Sequence, residues 1–581
     1  MLKGWDSANG HHHNRALHSR AGVTPEIFKR SETPTMCFGT TRPQGRAENA
    51  VPPFVRESDT HESKKATMGE HMIPPGQGTI MVHSDAIDDS DTAMVNSYLV
   101  DWDGPDDPEN PMNWSKCKKA LFITTLGYIS TLSPLASSIA APGIASIKSD
   151  FNVTDTHVGA FMISGFLIGY CCGPLFIAPL SEMYGRYVLY NAGSLLFLIF
   201  NVACSVAPNS GSMIAFRIFA GIGGSAPLTL GAASLADTVP REKRGLAMMV
   251  WTLGPMVGPT IGPIAGGYLP ETIGWRWSFR VVSVAAGVAA LGTAFCMPES
   301  YALTLLERKA RRLRLQTRNP HLESVLATHR KPKDLFMFSI LRPAKMMFLS
   351  PIVFCLSVYM AILYGYLYLL FTTFPQVFKQ QYGFSQGSAG LAYIGIGVGS
   401  VIGLLFSGLV SDRLVLKLSL TNGGHFQPEY RLPPMLMGAI LVPIGLFWYG
   451  WTADKQLQWM LPIIGTAILG CGIVIVLVRA RTYLCNCVIG IDVCILKMSI
   501  STYLVDAFTT YAASAMAAST VTRSLLGAFL PLAGDRLYQS LGLGWGNSLL
   551  GFIAFVMIPI PLVFYRYGQV IRQMKLFKTE F

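Results

Sequence analysis

Charge is scarce in this sequence. Lysine, arginine, aspartate and glutamate fill 14% of 581 positions, where a soluble protein carries them at about a quarter, so lipid is the expected solvent for much of the chain. A phosphate loop of the GxxxxGK[ST] type is missing, which removes ATP as a direct source of energy. Paired carboxylates and Cys/His clusters at productive spacing are missing too, so no enzyme activity, metal or cofactor is expected. The eleven cysteines lack secreted-domain spacing. Cys171, Cys172, Cys204, Cys296 and Cys355 lie inside apolar blocks and read as small core residues, not as a disulfide framework. No continuous apolar core opens the chain, so a cleavable signal peptide is not expected and the first spanning helix directs insertion. The formal net charge of +12 would point to nucleic acid in a soluble protein. In a membrane protein, excess lysine and arginine collect in cytoplasmic loops instead, and no nucleic-acid partner is expected.

What is abundant is apolar. Hydrophobic residues make up 51% of the chain, and a mean hydropathy of +0.38 understates the apolar part because the first hundred or so residues are polar. Residues 1–115, rich in Pro, Ser, Thr, Gly, His and charge, read as a disordered cytoplasmic tail, in which His11, His12 and His13 form a polar tract and not a metal site. Beyond it, apolar blocks recur near 119–141, 158–180, 188–208, 212–236, 246–269, 277–297, 349–374, 388–410, 433–452, 459–478 continuing to about 505, 510–533 and 546–566. Each is long enough to cross a hydrocarbon core of about 30 Å as a helix. The predicted fold is an all-α membrane protein with twelve transmembrane helices in two six-helix halves, 116–297 and 349–566. A basic cytoplasmic loop, 298–348, joins them and a short tail, 567–581, follows.

Loop charges set the expected orientation. Arg241, Lys243 and Arg244 follow span four, Arg308 to Arg318 supply a basic cluster after span six, and Arg413 and Lys417 follow span eight. The opposite loops are nearly uncharged, which places both termini in the cytoplasm and Asn152-Val153-Thr154 outside, as a glycosylation acceptor. Leu303, Leu306, Ala310 and Leu313 share one helical face in the central loop. They read either as an interfacial helix on an anionic leaflet or as a solvated linker.

The halves repeat each other. "APLSEM" after span two matches "GLVSDR" after span eight, pairing Glu182 with Asp412; "PIAGGYL" in span five matches "PLAGDRL" in span eleven; Asp237 closing span four matches Asp506 closing span ten. Three matches in one order imply two pseudo-symmetric halves able to rock about a site between them.

Three motifs together resemble the major facilitator superfamily: "APLSEMYGR", "FRIFAGIGGS" in span four and "GPMVGPTIGPIAGG" in span five. The leader "WDGPDDPENPMNW", "MPES" and "YLVDAFTTYAASAMAAST" narrow the resemblance to fungal-type twelve-spanner drug:proton antiporters, over about residues 100–570. It implies proton-coupled efflux of small amphipathic organic compounds across the plasma membrane by a monomer. A proton-coupled importer and a non-transporting sensor of the same fold are the alternatives.

The same resemblance assigns residues. Glu182, Gly185 and Arg186, with Asp412 and Arg413 as their second-half counterpart, become gating residues, although Ala178, Glu182, Met183 and Tyr187 depart from the usual pattern and imply a weaker latch. Gly254, Gly258, Gly262 and Gly266 fall four apart in span five, a face without side chains on which another helix can close; with Gly267 and the helix-bending Pro255, Pro259 and Pro263 they form the motif associated with export. Packing alone is the other account of that run.

Arg217 sits in an apolar span, where an ionisable group is costly unless partnered. It reads either as a tuner of proton coupling, with Asp237 and Asp506, or as a hydrogen-bond anchor; its guanidinium does not give up a proton. Spans one and seven hold no Asp or Glu to carry one. The substrate cavity implied between spans one, four, seven and ten would draw on Tyr128, Tyr359, Tyr364 and Tyr368, which suit a bulky, partly apolar ligand. Finally, residues 478–498 interrupt span ten with Arg479, Arg481, Asp492 and Lys497. That stretch reads as translated intron or another gene-model error, with a genuine loop as the alternative.

Overall fold

An apolar segment without water can satisfy its own backbone N–H and C=O groups only as a helix, and long helices dominate the structure. A computed structural model of the chain describes residues 98–327, 332–421, 428–489 and 509–573. The first half contains Lys116–Ser138, Thr156–Tyr184, Arg186–Ser205, Ser210–Gly224 continued by Ala226–Thr238, Arg241–Thr272 and Arg276–Cys296 as spans one to six. The second half opens with Pro351–Tyr382, then Gln386–Leu391 continued by Ile394–Thr421, Pro433–Asp454 and Met460–Ile489 as spans seven to ten. Span eleven begins at Thr509–Phe529.

By length and composition, 10 stretches of the described residues can cross a membrane. Span five is not among them because its prolines and glycines dilute its hydropathy, though it folds as one helix of 32 residues. The last stretch, Ala517–Gly568, contains two crossings. Gly542 breaks it at φ 73°, ψ 175°, a conformation strained for any residue with a Cβ, and Tyr538 Oη donates across the reversal to Asn547 Oδ1 at 3.1 Å. The architecture is thus consistent with twelve crossings.

Two sequence boundaries change. Span ten continues as helix to Ile489, so the first part of the anomalous 478–498 stretch is helical; residues 490–508, with Asp506, lie outside the described residues. The polar tail is the second. Its last part is folded: Leu99–Val100 pairs in parallel with Glu323–Ser324, and residues 101–113 wrap around the amphipathic helix Ala302–Thr317. Asp107 organises this leader by accepting from the N–H of Asp103 (2.9 Å) and of Glu109 (2.8 Å). Lys309 Nζ lies 2.7 Å from Asp103 and 3.3 Å from Asp107. The buried face built on Leu306 and Ala310 therefore belongs to a helix that receives the leader.

The charges set a pH window for docking. Backbone N–H groups of Asp103 and Glu109, then Lys309, hold the Asp107 carboxyl below its usual 3.8. Its contribution is full above that value and lost as pH falls through the lowered one. Burial pulls the Lys309 ammonium down, but Asp103 and Asp107 outweigh it and leave it above 10.5; that contribution is full below 10.5 and lost as pH rises further. The leader is expected to stay docked through neutral pH and to release only as pH falls below 3.8 and through the lowered value of Asp107. Asp107→Asn should release it at pH 7, seen as faster amide exchange over residues 98–113. Unchanged protection in that variant would refute the role given to Asp107.

Candidate functional site

Arg217 is 1% exposed and binds no carboxylate. Its Nε donates to Met162 O (3.1 Å), Nη1 to Ala136 O (2.6 Å), and Nη2 to Ser137 O (2.7 Å) and Ile163 O (3.0 Å). Ala136 and Ser137 lie in the last turn of span one, where carbonyls have no intrahelical donor. Phe166 and Phe279 cover the guanidinium at 5.1 Å and 5.9 Å. Arg217 ties spans one, two and four together through these bonds.

At the end of the molecule that carries the basic loops, Gly185 turns the chain from span two into span three at φ 93°. Arg186 Nη1 donates to Ser181 Oγ (2.5 Å), its Nε lies 3.5 Å from Asp237 Oδ2, and its guanidinium stacks over Tyr301 at 4.6 Å. Arg186 and Asp237, given separate roles from sequence, are partners. Glu182 stays within electrostatic reach of Arg186 and of Arg342. Glu299 was missed. Its carboxylate accepts from the backbone N–H of Arg186 (2.9 Å), Tyr187 (3.2 Å), Ser300 (3.0 Å) and Tyr301 (2.9 Å), capping span three from the far end of span six. The available signal was the acid in "MPES", beside a helix start that has no capping side chain of its own. Asp412 and Arg413 lie on Ile394–Thr421; their side chains are outside the described residues.

The glycine stripe faces span one. A Cβ at Gly258 would stand 2.6 Å from Thr131 O, one at Gly262 2.6 Å from Leu135 O, one at Gly254 3.0 Å from Gly127 O, and one at Gly266 would overlap Ile139 O. Pro255, Pro259 and Pro263 are accommodated within one continuous helix. Gly267 looks the other way, across the halves, where a Cβ would meet Gln386 O at 2.6 Å. That contact joins a set of bonds between halves at the end opposite the basic loops. Glu271 Oε2 accepts from Gly387 N–H at 2.7 Å, Gln386 Nε2 donates to Ser146 Oγ at 3.0 Å, and His157 Nδ1 lies 3.0 Å from Leu532 O. A cavity of about 560 Å³ sits within this contact, lined in part by Lys148, Gln376, Lys379 and Asp535.

Deeper between the halves the packing is aromatic. Tyr368 Oη is 2.8 Å from Ser137 Oγ in span one, and Tyr170 Oη in span two is 2.5 Å from Ser133 Oγ. Tyr364 lies 5.0 Å from Tyr368 and carries the Arg523 guanidinium over its ring at 4.5 Å. The four tyrosines proposed from sequence therefore separate. At about 100° per residue, Tyr359 shares a face with Tyr366, whose Oη donates to Leu550 O at 3.0 Å, so Tyr359 points away from the first half. Tyr128 is corrected as well: it is 39% exposed and donates to Ala285 O in span six at 3.1 Å. Tyr170 and Arg523 were not foreseen, although an arginine inside an apolar span is the same signal that singled out Arg217. Asn152 is exposed, with φ 54°, after a short helix. Among the described residues no group of three His, Cys, Asp or Glu side chains could hold a metal.

Comparison with known proteins adds the following. The profile of the Major Facilitator Superfamily matches residues 126–531. The MFS-type transporter penM of Penicillium rubens is 54% identical over 83% of this chain and 91% of that protein. The efflux pump radE of Floropilus chiversii is 43% identical, over 87% and 90% respectively. Among solved structures, the proton:xylose symporter XylE superposes with a TM-score of 0.53 at 15% identity, covering 77% of this chain and 96% of that one. A bacterial homologue of the lysosomal transporter Spinster, inward-facing, gives 0.53 at 15% identity over 79% and 98%. At such identities these two speak for the fold alone.

Proposed function

Because the chain belongs to the Major Facilitator Superfamily and is a multi-pass membrane transporter, we propose that it exports small amphipathic organic compounds from the cytoplasm across the plasma membrane in exchange for protons. The observation that carries this reading is the surface between the halves where Tyr170, Tyr364 and Tyr368 meet Ser133 and Ser137. Aromatic faces with hydroxyls at their edges suit a ligand that is part apolar and part polar. The outward direction is supported by the glycine-proline run of span five and by the name of the relative radE.

With the basic loops cytoplasmic, the bonds through Glu271, Ser146 and His157 form the outer gate, and Asn152 is offered to glycosylation outside. Gly254, Gly258, Gly262 and Gly266, with Pro255, Pro259 and Pro263, let span five slide on span one as the gate works, while Gly267 meets the second half. The proton acts at the Arg186–Asp237 pair, where a protonated carboxyl would loosen its hold on the guanidinium; Asp506, Asp412 and Arg413 are the proposed equivalents in the second half. Arg217 supports the fold around this movement.

In cells lacking the gene, accumulation of an exported amphipathic compound should rise, and collapsing the proton gradient in the parent strain should abolish the difference. Accumulation that falls on deletion means import. Export that persists without the gradient removes the proton claim, and substrate binding without flux points to a sensor.

A further inference from the structure

Resting on that export reading, we propose that Arg523 is a substrate-binding residue and that the compounds carried are amphipathic carboxylic acids. Arg217 and Arg523 both lie inside apolar spans of the described structure, and they differ in one respect. Arg217 is saturated by four backbone carbonyls. Arg523, in Thr509–Phe529 of span eleven, has a buried Nε with no hydrogen-bond partner, and its guanidinium stacks on the face of Tyr364. A guanidinium held this way in a low-dielectric setting is costly until an anion meets it.

Among the described residues the neighbouring spans offer it no such anion. Spans one, seven and eleven contain no Asp or Glu, and span two has only Glu182, in the last turn at the basic end. Arg523 and Tyr364 are both half-buried, so the guanidinium is not sealed within the core. The Tyr170 hydroxyl is within its electrostatic reach, and a Cβ at Gly527, one turn along, would touch both Leu167 of span two and Tyr364. The guanidinium therefore lies at the junction of spans two, seven and eleven. A planar fork of N–H donors matches a carboxylate, which it can hold with two parallel bonds. The aromatic faces beside it take the apolar body of the same molecule. A neutral or cationic compound would leave the arginine unpaired.

The test uses the full chain in proteoliposomes, with pyrenebutyrate and its methyl ester as probes of equal apolar body. The acid should bind at least about 10-fold more tightly than the ester, the size expected for hydrogen bonds to a charged group. Arg523→Gln should erase that preference and Arg523→Lys should recover part of it, since an ammonium keeps the charge without the fork. Arg523→Gln should also melt no lower than the parent, because it removes an unpaired buried charge; a lost preference in a protein that melts normally is the supporting result. Equal binding of acid and ester by the parent, or no binding of the acid, overturns the proposal. So does a preference that survives Arg523→Gln, or displacement of the acid by inorganic phosphate at equal concentration. The direction of transport is measured separately, as the sign of net pyrenebutyrate flux across vesicles of known orientation, so failure of the export reading shows there and not in the acid-to-ester binding ratio.

Discussion

Arg217→Ala is expected to lower the melting temperature in detergent by on the order of 10 °C and to leave little folded transporter in the membrane. The guanidinium makes four hydrogen bonds to carbonyls on two other helices. Those of Ala136 and Ser137 lie in the final turn of span one, where no backbone N–H follows in register to replace the lost donors. Hydrogen bonds to a charged group contribute about 1.5–3 kcal/mol each and do not add, and the alanine also leaves a cavity between Phe166 and Phe279. A total of about 3 kcal/mol or more follows. Arg217→Lys should lie between, because an ammonium cannot span carbonyls of two helices in one plane. A normal melt for Arg217→Ala with transport that no longer depends on pH would reverse the assignment and return Arg217 to proton coupling.

Gly266→Ala is expected to separate spans one and five at their outer ends and to abolish transport. Its Cβ would overlap the Ile139 carbonyl oxygen. That oxygen belongs to backbone and cannot rotate away as a side chain would. Overpacking of this kind costs about 1–3 kcal/mol, and here the strain falls on the helix whose other face, at Gly267, closes against Gln386 of the second half. Gly287→Ala, where an added Cβ meets nothing within 4 Å, is the control and should behave as the parent. Thermal melts and uptake into proteoliposomes measure both. Normal transport by Gly266→Ala would mean that the stripe is not a close contact in the working protein.

Sequence arguments succeeded where a single helix carries the signal and failed where two helices share it. The stripe at Gly254, Gly258, Gly262 and Gly266 was legible because a four-residue spacing defines a helix face whatever lies opposite. Tyr364 and Tyr368 could be placed in span seven in the same way, but Tyr359 could not be separated from them without knowing which side of the helix meets span twelve. Glu182 and Arg186 are close in sequence and invited pairing. The carboxylate paired with the Arg186 guanidinium is instead that of Asp237, at the end of span four, and the Arg186 backbone is held by Glu299, 113 residues away. The leader was taken for tail because its partner, the helix at Ala302–Thr317, lies on the far side of six spans.

By itself the sequence determined the solvent, the order of the apolar spans and the glycine face, because each depends on local composition and on helix periodicity. The tertiary structure decided which charges are satisfied. Arg217 and Arg523 look alike in sequence, each a lone base in an apolar run. Only the packing of spans one and two around the first and the unpartnered Nε of the second make one an anchor and the other a candidate ligand site. The cost of a buried charge depends on partners within about 4 Å, and for both arginines those partners, or their absence, come from distant parts of the chain.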